Sequence, residues 1–343
     1  VGLGGDPARL AGEVLVDADA GAVVLDPSPE TRRAFEARRL DADARADIAS
    51  AGATEPAVTA DGVAVGVYIN VADPSELDGL DPAICDGIGL VRTELLFHAS
   101  GRLPDEEHQY AVYRRILEWA GSDGRSRTVT IRTLDAGGDK PIAGLTEDGE
   151  SNPFLGVRGI RLSLKHEAVF RVQLRALLRA AIHGALKVML PMVTVPAEVA
   201  AVRVMIDEEF AGLSARGAEV RVPALGIMVE VPAAAIMVES FDVDFYSIGS
   251  NDLTQYVTAA GRDIGAVADL ADPLNPAVLK LVAHVATHGA ASGRDVSLCG
   301  DAGGDPIVIP HLLAAGLRSL SVAPTLVAAT KAAVRLYAGN GPA

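Results

Sequence analysis

The chain is poor in cysteine. It has two, Cys85 and Cys299, in 343 residues, and neither belongs to a CxxC pair. Its seven histidines are scattered without the spacing of metal ligands. A disulfide framework and a structural zinc site are therefore not expected, and a reducing, cytoplasmic setting fits. Positive charge is also scarce: 30 Lys and Arg stand against 45 Asp and Glu, a formal net charge of −15. Nonspecific nucleic-acid binding needs a basic face, so no nucleic-acid partner is expected. A small anionic ligand is not excluded, because it senses only the local charge of its pocket. No apolar run approaches the length of a membrane span and no signal peptide is visible, so no membrane partner is expected. The chain starts with Val1 rather than Met, which suggests a fragment or processed form. What is present in quantity is apolar residue, 49% of the total, enough for a large core in one big domain or a domain plus an appendage.

The most informative stretch is ALGIMVEVPAAAIMVESFDVDFYSIGSNDLTQY, residues 224–256. An apolar run over 224–229 ends in Glu230, a Pro-started helix follows over 232–240, and a second apolar run over 243–249 ends in Asn251 and Asp252. A strand, helix and strand in this order form a right-handed crossover that sets the two strands side by side and parallel. Glu230 and Asp252 then share one rim. Two hard oxygen ligands on a rim can hold Mg²⁺, with waters and substrate oxygens completing the octahedron. The plainer alternative is that each carboxylate caps the helix after it.

Taken in order, residues 1–27 read as short strands at 13–16 and 22–25 around a turn. The segment is too short to fold alone and looks like the end of another domain. Residues 28–57 begin with a capping Ser28, a Pro and a Glu, and carry a strongly charged face, which predicts an exposed linker helix and loop. From residue 58 onward a rhythm sets in. Strand-like runs fall at 63–69, 87–91, 128–134, 187–193, 224–230, 243–249, 295–299 and 319–323. Helix-like stretches separate them at about 74–80, 104–120, 159–183, 196–213, 232–240, 276–291, 306–316 and 326–337. Eight β and eight α units in alternation predict an α/β fold, a (β/α)₈ TIM barrel over 58–343. An open doubly wound sheet would place a Gly-rich loop after its first strand, and Val71-Ala-Asp-Pro is not one.

Barrel chemistry sits at the C-terminal ends of the strands. Those ends supply Arg92 and Glu94, Arg132 and Asp135, Glu230, Asn251 and Asp252, and Cys299, while a long loop adds Lys140 and Arg158. Any one arginine could belong to a rim salt-bridge network. Four cations beside one acid pair fit a small polyanion carrying phosphate and carboxylate, both of which arginine grips bidentately. Cys299 ends the seventh strand. A lone cysteine is usually a small buried hydrophobe, but at this rim it could act as a general acid or base.

Several segments resemble enzyme I of the bacterial phosphoenolpyruvate:sugar phosphotransferase system. They are GIGLVRTELLF at 87–97, TIRTLDAGGDKP at 130–141, NPFLGVRGIRLSL at 152–164, VMLPMV at 188–193, GIMVEVPAAA at 226–235, FYSIGSNDLTQY at 245–256 and CGDAGGDP at 299–306. The resemblance covers nearly the whole chain in the right order. It implies a phosphoenolpyruvate-binding barrel, usually a homodimer, in which Arg92, Arg132, Arg158 and Arg262 hold the phosphate and carboxylate of the substrate. By the same resemblance Asn251 positions the phosphate, Glu230 and Asp252 bind Mg²⁺, and Cys299 protonates the methylene carbon as pyruvate leaves. The family pattern is broken at Val157, Gly261 and Asp301, where it usually has Trp, Asp and Glu.

None of the seven histidines sits in the Gly-rich Thr-Ser-His context that carries phosphate in that family. Residues 1–27 resemble only the last strands of the swivelling phosphohistidine domain. The implied partners are that domain and, through it, the histidine-containing phosphocarrier protein, and the chain alone is expected to bind phosphoenolpyruvate without completing transfer. Competing readings are the barrel of a pyruvate phosphate dikinase or phosphoenolpyruvate synthase, a non-catalytic phosphoenolpyruvate-sensing or dimerisation module, and, more distantly, a Mg²⁺-dependent pyruvate aldolase.

Overall fold

The computed structural model describes residues 13–17, 22–98, 103–138, 140–146, 149–262 and 264–339. The chain divides into two compact units, Val1–Ala53 and Thr54–Ala343. In the first, β1 (Val14–Asp17) and β2 (Ala22–Leu25) pair antiparallel, Val14 opposite Leu25. Helix α1 (Pro29–Ala51) follows, its first turn capped by the Ser28 hydroxyl, which accepts from the Thr31 amide at 3.1 Å. The turn expected between the two strands lies outside the described residues.

The second unit is a closed barrel. Its strands are β4 (Ala64–Val71), β5 (Gly87–Val91), β6 (Thr128–Arg132), β7 (Ala185–Leu190), β8 (Ala224–Val229), β9 (Phe245–Ile248), β10 (Asp295–Leu298) and β11 (Ser319–Val322). Each pairs parallel with the next, and β11 returns to β4 with Ser319 opposite Gly66. The short β3 (Ala57–Val58) adds antiparallel to β4. Strands covered on both faces read as nearly unbroken apolar runs, which is why periodicity located them to within a few residues.

The helical layer comprises α2 (Glu94–His98), α3 (Glu106–Ala120), α4 (Ile160–Lys165), α5 (Glu167–Ala180), α6 (Pro196–Ala215), α7 (Pro232–Ile236), α8 (Ser250–Thr258), α9 (Pro276–Ser292), α10 (Ile309–Ala314) and α11 (Val327–Leu336). Their starts follow local chemistry. Asp105 caps α3 by accepting from the His108 amide at 2.8 Å, and Asn275 caps α9 ahead of Pro276. The strict alternation expected from the sequence is relaxed in three places. The first crossover holds only two 3₁₀ turns, Pro74–Leu77 and Pro82–Ile84, and Asp73 and Glu76 close a capping box around the first. The helix expected over 159–183 breaks at His166, whose backbone at φ −112, ψ 53 separates α4 from α5. Helix α8, absent from the helix-like stretches read in the sequence, follows β9 directly and carries Asn251 and Asp252 in its first turn.

The core has two parts. One lies between strands and helices and includes Ile88, Ile131, Leu177, Ile227 and Val282, all at most 1% exposed. Each such side chain contributes about 1.5–3 kcal/mol by leaving water. The other lies inside the barrel and consists of Leu90, Met189, Met228, Phe245 and Cys299. It forms a plug between an upper mouth, at the C-terminal strand ends, and a lower mouth at the N-terminal ends. Among the described residues no helix is long and apolar enough to cross a membrane.

Candidate active site at the upper mouth

The upper mouth holds a cavity of about 320 Å³. Arg92, Arg132, Lys140 and Arg262 line it, with Glu230, Asn251, Asp252, Asp301 and Cys299. The structure thus brings together all the sequence-expected site residues except Arg158, which lies one layer beneath, 1% exposed. Arg92 is exposed at the cavity. The Arg262 amide donates to Gln255 Oε1 at 3.3 Å, tying the segment after α8 back onto that helix.

Asp135 organises the cations. It is fully buried, and its Oδ2 lies 3.2 Å from Arg132 Nη1, 3.0 Å from Arg158 Nη2 and 3.5 Å from Lys140 Nζ. Burial alone would raise its pKa. The three cations, Arg132 foremost, overcome that and hold it well below the usual carboxylate range. Arg132 also contacts Glu94 closely, and the charges of Glu94 and Asp135 keep its guanidinium protonated against the cost of burial. Among the described residues, Arg132 Nε and Glu94 Oε2 are buried without a hydrogen-bond partner. Unpaired groups of this kind are costly in an interior and are offset where a ligand reaches them. The sequence reading noted Asp135 and Glu94 at strand ends but assigned them no role. The signal available was Asp135 three residues after Arg132 at a strand end.

Glu230 and Asp252 form the acid side. Neither caps a helix: the N-cap positions of α7 and α8 are Val231 and Gly249, and neither helix has a side-chain cap. Glu230 Oε1 accepts instead from the Met192 amide at 2.6 Å, across from β7. Met192 reaches that orientation in the left-handed region, at φ 57, which is uncommon for a residue with a side chain. Gly249 leaves the room Glu230 needs, since a Cβ there would lie 2.9 Å from Glu230 Oε2. Burial, and then the charges of Asp252 and Asp135, push Glu230 up to about 8. Asp252 is met from below by Arg158, Nη1 to Oδ1 at 3.4 Å. Asn251 ties the start of α8 to the turn after β10, donating to Asp301 Oδ2 at 2.8 Å and accepting from the Asp301 amide at 3.0 Å.

Two buried carboxylates crowded together are a fitting seat for a divalent cation. Among the described residues no group of three or more His, Cys, Asp and Glu side chains could hold one. A cation here would take two protein oxygens and leave most of its coordination to water and ligand, the habit of Mg²⁺. Cys299 lines the same cavity from its floor, 3% exposed. Burial pushes its thiol up, while the neighbouring Ser247 hydroxyl and the charge of Arg132 act the other way. Its Sγ lies 3.7 Å from the Ile248 carbonyl, to which it can donate.

A (β/α)₈ barrel with arginines, two carboxylates and a thiol around one upper-mouth cavity defines a class of site built for a small, highly charged anion. Residues 47–338 match the family of the PEP-utilising enzyme, PEP-binding domain, and the chain belongs to that family. It is 41% identical over 328 residues to a phosphoenolpyruvate-protein phosphotransferase of Bacillus sp. (strain S), covering 95% of this chain and 56% of the relative. It is 39% identical over 332 residues to the protein of that name from Enterococcus faecalis (strain ATCC 700802 / V583), covering 95% and 57%. The chain therefore spans just over half the length of these relatives. Among solved structures, a citrate lyase of Burkholderia xenovorans LB400 is 18% identical over 78% of this chain and 76% of its own, with a TM-score of 0.49.

Proposed function

We propose that the chain is the phosphoenolpyruvate-binding catalytic barrel of a phosphoenolpyruvate-protein phosphotransferase. It passes the phosphoryl group of phosphoenolpyruvate to a histidine and releases pyruvate, the first step of a sugar phosphotransferase system. The observation that carries this reading is the single cavity in which Arg92, Arg132 and Arg262 face Glu230, Asp252 and Cys299. Arg132 is held rigid by Asp135 and Glu94, so it meets an anion without first being ordered. Arg92 and Arg262 reach the same ligand from the open side, and Asn251 orients its phosphate. Glu230 and Asp252 would hold Mg²⁺, whose charge would offset the negative charge of the substrate oxygens. Arg158 holds Asp252 and Asp135 from beneath.

Phosphoryl transfer leaves an enolate, and the arginines stabilise its charge as it shifts. Cys299 then gives its proton to the methylene carbon, which traps the product as the ketone. Among the described residues no histidine lines the cavity, so the receiving histidine is supplied by a separate phosphohistidine domain, which in turn serves the histidine-containing phosphocarrier protein. Residues 1–27 fit the last strands of that domain, 28–57 the linker and 58–343 the barrel. A homodimer in the cytoplasm accords with this reading. The relatives' name favours it over a dikinase or a non-catalytic sensor.

The test is reconstitution. The chain, phosphoenolpyruvate, Mg²⁺ and a separately expressed phosphohistidine domain should yield pyruvate in step with phosphohistidine, and Cys299→Ala should suppress pyruvate release. No transfer to any such domain, with binding intact, would leave the sensor reading in its place.

A further inference from the structure

Residues 250–256 supply Asn251 and Asp252 to the upper cavity, but the last of them, Tyr256, does not line it. Tyr256 stands four residues after Asp252 on α8, so the two share one face of that helix. Its side chain is half-buried and its hydroxyl sits at a junction. The hydroxyl donates to the Phe154 carbonyl at 2.5 Å and accepts from Arg158 Nη1 at 3.3 Å, with Met192 Sδ 3.9 Å away. The same Nη1 reaches Asp252 Oδ1 at 3.4 Å, and Nη2 reaches Oδ2 at 3.4 Å. These two are longer than a normal N–H···O bond, whereas Asp135 Oδ2 draws Nη2 to 3.0 Å. Arg158 is thus anchored by Asp135 and Tyr256 and only leans on Asp252. Phe154 and Arg158 belong to the long segment between β6 and α4, whose start packs on its end. A Cβ on Gly137 would lie 2.7 Å from Arg158 Cβ, and one on Gly138 would lie 3.5 Å from the Phe154 ring. Gly137 and Lys140 exchange backbone hydrogen bonds at 3.0 and 3.1 Å, and Lys140 lines the cavity. Near the other end the Glu150 carboxylate accepts from the Val157 amide at 2.9 Å. The Tyr256 hydroxyl therefore ties a folded, cation-bearing loop to the helix that carries part of the acid side.

We propose that Tyr256 is a positioning residue for the metal seat: its hydroxyl holds Arg158 back from Asp252 and latches the loop of Phe154 and Lys140 onto α8. This rests on the reading of Glu230 and Asp252 as the seat of Mg²⁺. One N–H of Arg158 Nη1 serves the Tyr256 oxygen and the other faces Asp252. Without the hydroxyl the guanidinium is free to close onto Asp252. A carboxylate gripped at short range by arginine has fewer lone pairs and less charge to offer a cation. The Phe154 carbonyl loses its donor at the same time, and the loop is released from α8. Tyr256 acts through Arg158 and the loop, not by contact with the ligand.

The experiment uses Tyr256→Phe, which removes the oxygen and keeps the ring. Calorimetry with phosphoenolpyruvate at a series of Mg²⁺ concentrations should show the half-saturating Mg²⁺ concentration raised by roughly tenfold, as when a group behind a metal ligand is lost. At saturating Mg²⁺ the phosphoenolpyruvate affinity should return to within about twofold of wild type, since excess metal offsets a weakened seat by mass action. Hydrogen exchange of the metal-free chain, read by mass spectrometry over a peptide spanning 149–159, should quicken by roughly tenfold, the scale of one lost hydrogen bond. Peptides from α9 should exchange as in wild type. Wild-type Mg²⁺ dependence in Tyr256→Phe, or unchanged exchange over 149–159, would overturn the proposal. So would an affinity that excess Mg²⁺ fails to restore, or faster exchange in α9 as well, since either marks general disruption. Absence of Mg²⁺-dependent binding in the wild type would overturn the reading of the site and this role with it. The exchange measurement needs no metal and separates the two failures: unchanged exchange beside normal wild-type binding removes the latch and spares the site.

Discussion

The upper and lower mouths are built from opposite ends of the same eight strands, and they handle charge in opposite ways. At the upper mouth Asp135, Arg158 and Glu230 are at most 1% exposed and are crowded into contact with one another's partners. At the lower mouth the Asp295 side chain is 81% exposed and faces a single lysine. A buried charge loses its hydration and recovers it only through close partners, so a cluster such as the upper one is weak support for stability and a good preparation for a charged ligand. The lower pair meets water through Asp295, so its attraction is screened and little is at stake. The fold therefore concentrates its electrostatic cost on the face where chemistry is proposed.

Substitutions at matched positions would break this contrast. Asp135→Ala leaves Arg132 and Arg158 buried without their shared counter-ion and should cost about 3–5 kcal/mol in urea denaturation. Asp295→Ala should cost less than about 1 kcal/mol in the same assay, because it removes a screened surface pair. Equal costs for the two would end the distinction between the mouths. Asp252→Ala removes one of two proposed metal ligands and should weaken Mg²⁺-dependent phosphoenolpyruvate binding by roughly 100-fold or more, read by calorimetry. Lys187→Ala, at the other end of the barrel, should leave that affinity unchanged. A parallel loss in both would point to general disruption instead.

The outer helices sharpen the comparison at its weakest end. Burial works to raise the pKa of Glu106, but Arg175 and Arg179, at 2.6 and 2.7 Å, more than offset it and bring it below its ordinary 4.5. A depressed carboxylate adds stability above its unfolded pKa and gives it up as pH falls through the folded one. The group is partly solvated, so its share should stay under about 1 kcal/mol. The stability gap between wild type and Glu106→Gln should therefore be small at pH 7 and shrink as pH drops below about 4.3. A gap that widens towards acid would reverse the assignment.

Much of the barrel was legible because its strands are covered on both faces and stand out as apolar runs between Pro- and Asp-marked helix starts. The missed helix α8 has an instructive cause. It follows β9 with Gly249 as its only break and no capping side chain, so the chain passes from strand to helix without the usual punctuation. The break at His166 was hidden likewise, because both halves of 159–183 share one amphipathic pattern. Most residues lining the cavity were readable as strand-end polar groups, whereas Lys140 came from a loop and Arg262 only from the family resemblance. Their pairing was not readable. Asp135 as common anion of Arg132, Lys140 and Arg158 depends on a strand end and two parts of one loop folding onto each other. The withdrawal of Arg158 beneath the cavity has the same origin, and the positive φ of Gly159, 58°, lets the chain turn where a Cβ would meet Met192 at 2.8 Å.

The central claim is that the upper cavity takes phosphoenolpyruvate with a divalent cation seated on Glu230 and Asp252. Titration of the wild-type chain with phosphoenolpyruvate by calorimetry, first with Mg²⁺ and then with the metal chelated, tests it most directly. The account expects saturable binding with Mg²⁺ that collapses on chelation. Binding that is equally strong without metal, or no binding under either condition, would contradict it.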